Sequence, residues 1–320
     1  MPLPSSQEGS TEIKLNLDAL GTIASADAGS FTVEAAAIPM RDLQGMQAAQ
    51  VKGYETVVSI DVFVGDAKVD VPLTVSLPYS LKGSENPAAV RVWYMADNGN
   101  LTDLNGTFDR TTGMITFTIN HQSYFVVGYD PVALWVNVFT DVPEDAWYYD
   151  AVAFANYHGL FSGYGDGRFG PQDSMTRAMF ATVLYNLDSS PAPSGYAIFT
   201  DVPASAWYHN PVQWAAESGI VNGVGGGRFD PDRAISRQEM AVMLSNYANF
   251  KGYAIPIYRA MPNFTDQDSI ASWALAATRA LAEAGVINGS GNHFNPQDDA
   301  TRAEVAQMLK NFLRFVVEGN

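Results

Sequence analysis

A phrase written three times constrains this chain more than any other feature. Residues 139–152 read FTDVPEDAWYYDAV, residues 199–212 read FTDVPASAWYHNPV, and a third version, FTDQDSIASWALAA, begins at Phe264. Aligned on the leading Phe, Asp141, Trp147, Gly163, Pro171 and Arg177 precede Asp201, Trp207, Gly223, Pro231 and Arg237 by a constant 60 residues. The third copy supplies Asp266, Trp273, Gly289, Pro296 and Arg302 at offsets of 65 or 66, with one extra residue before its Trp and one missing after its Gly. Each copy holds two helical patterns, AWYYDAVAFANYHG and TRAMFATVLYNL in the first, joined by a Gly-rich loop that ends in Pro. Two helices alone cannot enclose an apolar core, so the three units are expected to pack on one another.

Before residue 130 the period changes from helical to alternating. Val58, Ile60, Val62 and Val64 alternate with polar neighbours, as do Val69 to Leu77 and Ile115, Phe117 and Ile119. Turn signals at Asp97–Asn100 (DNGN) and Asp109–Gly113 (DRTTG) favour antiparallel hairpins. The expected organisation is multidomain, α and β: an antiparallel β-sandwich over 1–130 with 1–10 flexible, a linker over 131–138, and all-α repeats over 139–190, 191–250 and 251–320. Residues 38–52 read as one short helix or a long loop.

Composition removes several functions. With 320 residues at 47% hydrophobic, the chain can fill more than one core. Its net charge of −16 is shared equally by the two halves, so nucleic-acid phosphates and anionic lipid would be repelled. Cysteine is absent, which removes disulfides, thiol nucleophiles and Cys-ligated zinc and suits an exported bacterial protein. No run of about 18 apolar residues exists to span a membrane. The N-terminal MPLPSSQEGS has neither a basic nor an apolar region of a signal peptide, so an exported form is expected to be processed or a fragment.

The four histidines, His121, His158, His209 and His293, are dispersed and form no catalytic spacing. The expectation is no enzyme, no metal and no cofactor, although the 34 acidic residues leave room for a glycosidase pair. The loops GYGDGRF, GVGGGRF and GSGNHF lack the strand and the Lys-Ser/Thr of a phosphate loop. Their acids do not keep calcium spacing beyond the first copy, and they read as tight turns.

The second helix of each copy starts at a capping Thr176, Ser236 or Thr301, and Glu239 and Glu304 complete capping boxes where copy one has Met179. Yet the first helical residue is Arg177, Arg237 or Arg302, and a cation there opposes the helix dipole by about 0.3–1 kcal/mol. One reading is an anion receptor built from free first-turn amides and a guanidinium fork. The other is an internal partner such as Asp141, Asp201 or Asp266. The Trp is placed in the first turn of the first helix, after Asp145 or Ser205 as caps, where it is either core or rim. At a rim it would stack on the apolar face of a sugar whose hydroxyls and acid group a nearby Asp and Arg could hold.

The pattern F-x-D-V, W-Y, G-Y-x-D-G-x-F-x-P and T-R-A-E, threefold from 139 to about 316, resembles the S-layer homology (SLH) domain family. That resemblance implies a pseudo-threefold, three-pronged spindle with a central helical bundle. It implies non-covalent anchoring at the cell surface, outside the cell, to a secondary cell wall polysaccharide linked to peptidoglycan and commonly carrying pyruvylated N-acetylmannosamine. Self-association into a surface lattice is a second implied role. The ligand-binding positions carried over are Asp141, Trp147, Gly163, Tyr164 and Arg177 in copy one; Asp201, Trp207, Gly223 and Arg237 in copy two; and Asp266, Trp273, Gly289 and Arg302 in copy three. The copies depart from the pattern unevenly. Copy one reads TRAM, copy two reads SRQE with Val224 and Gly226 in its loop, and copy three lacks the loop Asp-Gly, so unequal affinity is expected. Upstream, GMITFTINHQSYFVVGYD resembles the last strands of a β-sandwich often found before such repeats in surface proteins of Gram-positive-type bacteria.

Overall fold

The computed structural model describes residues 12–15, 31–51, 56–195 and 198–317; the expectation for residues 1–10 lies outside them. The chain divides into two compact units, Met1–Trp135 and Val136–Asn320.

The first unit contains two antiparallel sheets. One has the order β1 (Glu12–Leu15), β5 (Leu73–Pro78), β9 (Met114–Ile119), β8 (Thr107–Asp109). The other has the order β2 (Phe31–Ala37), β3 (Thr56–Val64), β10 (Ser123–Tyr129), β6 (Val90–Met95), β7 (Leu101–Asp103), and the short β4 (Ala67–Lys68) pairs with β3. The period-two pattern explains the core, because alternate residues of a strand share one face. Ile60, Val62, Val92 and Phe125 from the second sheet join Leu73, Val75, Ile115 and Phe117 from the first in one buried cluster. Each such side chain contributes about 1.5–3 kcal/mol on burial.

The other face of the second sheet is covered as well. Residues 38–51 hold a 3₁₀ turn, Met40–Asp42, and a short helix α1, Gly45–Gln50, and the last residue of the expected 38–52 segment lies outside the described residues. The flanking Leu43 and Val51 drop onto Val57, Met95 and Val126. Gly99, in the DNGN turn at φ +84°, lies so close to α1 that a Cβ there would stand 2.6 Å from the Met46 backbone. The alternating run expected over Val69–Leu77 enters its sheet only at Leu73, and Val69 N still donates to Val62 O of the other sheet (2.9 Å).

Among the described residues the second unit holds six α-helices in three pairs: α2 (Tyr149–Tyr157) and α3 (Arg177–Leu187), α4 (His209–Glu217) and α5 (Arg237–Lys251), α6 (Ser272–Glu283) and α7 (Arg302–Phe312). Their main packing is between copies: α4 on α3, α6 on α5 and α2 on α7, so the third repeat returns to the first. The backbone closes the same circuit, with Met175 N donating to Ala300 O (2.8 Å), Ala300 N to Ile235 O (2.9 Å) and Ile235 N to Met175 O (2.8 Å).

The first helices of copies one and two begin later than expected. Tyr148 and Tyr208 hold the N-cap positions and no side chain caps either helix, so Asp145 and Ser205 do not have that role. A turn intervenes, with Ala146 N bonded to Pro143 O and Tyr149 N to Ala146 O, which leaves Trp147 ahead of α2. Only in copy three, with its extra residue, does the Trp, Trp273, fall in the first turn of the helix.

Candidate functional site

The FTD phrase is a clip for the Gly-rich loop. Asp141 accepts the amides of Phe169 (2.7 Å) and Gly170 (2.8 Å), Asp201 those of Phe229 and Asp230 (2.8 Å each), and Asp266 those of Phe294 (2.9 Å) and Asn295 (2.7 Å). Burial raises the carboxyl pKa values of Asp201 and Asp266, but the paired amides outweigh it and hold both below the usual range. The leading Phe rings pack on the loop Phe rings, with centroids 5.3, 5.4 and 5.9 Å apart. Gly163, Gly223 and Gly289 make room for them: a Cβ would stand 2.7, 2.9 and 2.5 Å from Phe139, Phe199 and Phe264 respectively, and 2.6 Å from a loop carbonyl in each case. These glycines therefore serve the loop's own packing.

Each arginine reaches into the next repeat. Arg177 Nε donates to Phe229 O (2.9 Å), Nη2 to Asn222 O (3.2 Å) and Nη1 to Glu239 (3.0 Å). Arg237 repeats this with Phe294 O (2.7 Å) and Glu304 (2.5 Å), and Arg302 with Phe169 O and Ser162 O (2.8 Å each). All three are buried, at 5, 8 and 6% exposure. The ion-pair partners are thus the capping Glu residues of the next copy and not Asp141, Asp201 or Asp266, whose oxygens already hold the loop amides. Glu239 also accepts the Ser236 amide and Arg233. Burial raises its pKa, but Arg233, the Ser236 amide and Arg177 together leave it below the ordinary range.

The first-turn amides that could have received an anion are occupied. Arg177 N and Ala178 N donate to the carbonyls of Arg233 and Pro231, Arg237 N and Gln238 N to those of Asp298 and Pro296, and Arg302 N and Ala303 N to those of Asp173 and Pro171. A receptor made of free helix amides is therefore not formed in any of the three copies. The cation beside the helix dipole is offset by neighbouring carbonyls and, in two copies, by a carboxylate.

The three tryptophans remain out in solvent, at 61% for Trp147, 62% for Trp207 and 57% for Trp273. A large ring is thus left more than half exposed in every copy. Trp147 lines a cleft of about 370 Å³ together with Arg237, Gly289, Asn288, Glu304 and Asn311. One sequence-predicted residue from each copy meets there: Trp147 from the first, Arg237 from the second and Gly289 from the third. Within a single copy the Trp and Arg do not assemble a site. Gln307, which also lines this cleft, carried no repeat signal, whereas Asn288 shares its register with Asn222, and Asn311 with Asn186 and Asn246, and both could have been noticed. Tyr164 has the guanidinium groups of Arg302 and Arg168 over its ring, 4.9 and 5.5 Å from the centroid.

Among the described residues no group of three or more His, Asp or Glu side chains could hold a metal ion, and no helix is long and apolar enough to cross a membrane.

The family model of the S-layer homology domain matches residues 138–181, 198–241 and 263–306. The chain is 28% identical over 260 residues to an amylopullulanase of Thermoanaerobacterium thermosulfurigenes, covering 80% of this chain and 13% of that protein. It is 30% identical over 177 residues to an exoglucanase of Acetivibrio thermocellus (55% and 16%) and 34% identical over 137 residues to an S-layer protein of Bacillus anthracis (42% and 15%). The chain therefore spans less than a fifth of the length of these relatives. The first alignment is too long to be confined to the repeats and reaches into the β unit.

Proposed function

Residues 138–306 of the chain belong to the S-layer homology domain family, and on that premise we propose that the chain anchors an exported protein to the bacterial cell wall without a covalent bond. The ligand is a secondary cell wall polysaccharide bearing an acidic sugar of the pyruvylated N-acetylmannosamine type, held in clefts between repeats outside the cell. The observation that carries this reading is the cleft that joins exposed Trp147 to Arg237 and Gly289. An aromatic ring offers a platform for a sugar face, and a guanidinium offers a fork for a carboxylate. In this reading the two sheets of the first unit form a β-sandwich and the six helices a three-pronged spindle about the Met175–Ala300–Ile235 circuit. The chain is a binding module and not an enzyme.

Cell-wall sacculi test the proposal. The protein is expected to sediment with them and to stay in solution once their polysaccharide has been removed; sedimentation unaffected by removal would overturn it. A second reading, self-assembly into a surface lattice, is favoured by the similarity to an S-layer protein. It requires ordered arrays from the purified protein alone, whereas release of sugar from sacculi would point to a hydrolase.

A further inference from the structure

Three positions at which copy one differs from the others converge on one arginine. Where copies two and three have Glu239 and Glu304, copy one has Met179; where they have Val224 and Ser290, it has Tyr164; where they have Asp230 and Asn295, it has Gly170. Arg302 is the arginine that reaches into copy one. Its Nε and Nη2 bond only to the carbonyls of Phe169 and Ser162, and among the described residues it forms no ion pair. Asp173 and Asp141 favour its charge without pairing with it. Its guanidinium lies instead over the rings of Phe161, Tyr164 and Phe169, 5.3, 4.9 and 4.8 Å from their centroids. Gly170 permits this arrangement, since a Cβ there would stand 2.5 Å from both Tyr164 and Asp173. Arg177 and Arg237, by contrast, are tied to Glu239 and Glu304.

We infer that the three inter-repeat arginine sites are not equivalent, and that the one formed by copy one with Arg302 is the principal seat of the ligand's acid group. The inference rests on the binding function proposed above. At the other two sites a ligand carboxylate must compete with a resident carboxylate for the guanidinium and would stand beside a like charge. At Arg302 it would complete the ion pair that copies two and three make internally. Tyr164, 43% exposed, adds an aromatic face beside the cation. Helix α4 packs on α3 as α2 packs on α7, so Trp207 holds the same place in the circuit of repeats relative to Arg302 as Trp147 holds relative to Arg237.

The test is a calorimetric titration of the full chain with the methyl glycoside of pyruvylated N-acetylmannosamine and with the same compound after reduction of its carboxyl to an alcohol. Met179→Glu gives copy one the residue of its two sisters, and it supplies the capping box that Thr176 lacks, so folding is expected to survive. Affinity for the acid form is expected to fall at least tenfold. Glu304→Gln keeps a capping side chain but frees Arg237, and affinity is expected to hold or rise. Tyr164→Val, the residue of copy two, is a second route to the same site and is expected to weaken binding several-fold. Wild-type affinity in folded Met179→Glu, or an equal loss in Glu304→Gln, overturns the asymmetry and leaves the anchoring function standing. Equal affinity for the reduced glycoside overturns acid recognition, and no binding of either form by the wild-type chain overturns both proposals.

Discussion

Arg177, at the start of the second helix of repeat one, donates to Glu239 of repeat two at 3.0 Å, across 62 residues of sequence. Arg237 makes the same bond to Glu304 of repeat three, and Arg302 returns to the loop of repeat one. Each repeat thus leaves its arginine, its first-turn amides and its helix face to be satisfied by a neighbour. Stability is shared around a closed circuit and is not stored in the separate copies.

A single repeat should therefore not fold alone. Residues 139–190, expressed by themselves, are expected to show no cooperative thermal transition, while 136–320 melts in one. A sharp transition in the isolated repeat would show that the contacts between copies are dispensable.

Glu239 holds the capping amide of Ser236, the exposed Arg233 and the buried Arg177 at once. Removal of its carboxylate by Glu239→Ala strands the Arg177 charge and is expected to cost about 3–5 kcal/mol, against less than about 1 kcal/mol for an exposed ion pair such as Arg168–Asp166. Urea melts of Glu239→Ala and Asp166→Ala compare the two directly, and equal midpoints would remove the inter-repeat ion pair from the account.

Acid should loosen the repeat unit. Asp201, Asp266 and Glu239 are held below their ordinary pKa values in the folded chain. A group more acidic folded than unfolded stabilises the fold above its unfolded pKa, about 4, and that contribution is lost as pH falls through the folded value. The melting temperature is expected to be level between pH 7 and 5 and to fall steadily from pH 5 to 3. A constant melting temperature over the lower range would contradict these assignments.

Much of this arrangement was legible in the sequence, and what escaped it did so for a definable reason. The alternation of Val58, Ile60 and Val62 placed β3, and Thr176, Ser236 and Thr301 do cap their helices as the local rules require. Those signals act over a few residues. The partner of Arg177 lies in another copy, and no spacing within a repeat distinguishes Glu239 from Asp141. The start of α2 was misplaced because Pro143 and Ala146 hold a turn that the nominal cap Asp145 does not govern. The cleft takes Trp147 from copy one, Arg237 from copy two and the rest of its lining from copy three, so no single copy assembles it.

In the function proposed above, the exposed tryptophans meet the wall polysaccharide. Sedimentation of the triple variant Trp147→Ala, Trp207→Ala, Trp273→Ala with sacculi tests it most directly, because rings that stand more than half in solvent can be removed with little effect on the fold. An unchanged melting temperature is expected, with at least a tenfold loss of wall affinity, about 1.4 kcal/mol or more. A folded triple variant that sediments as the wild type does would contradict it.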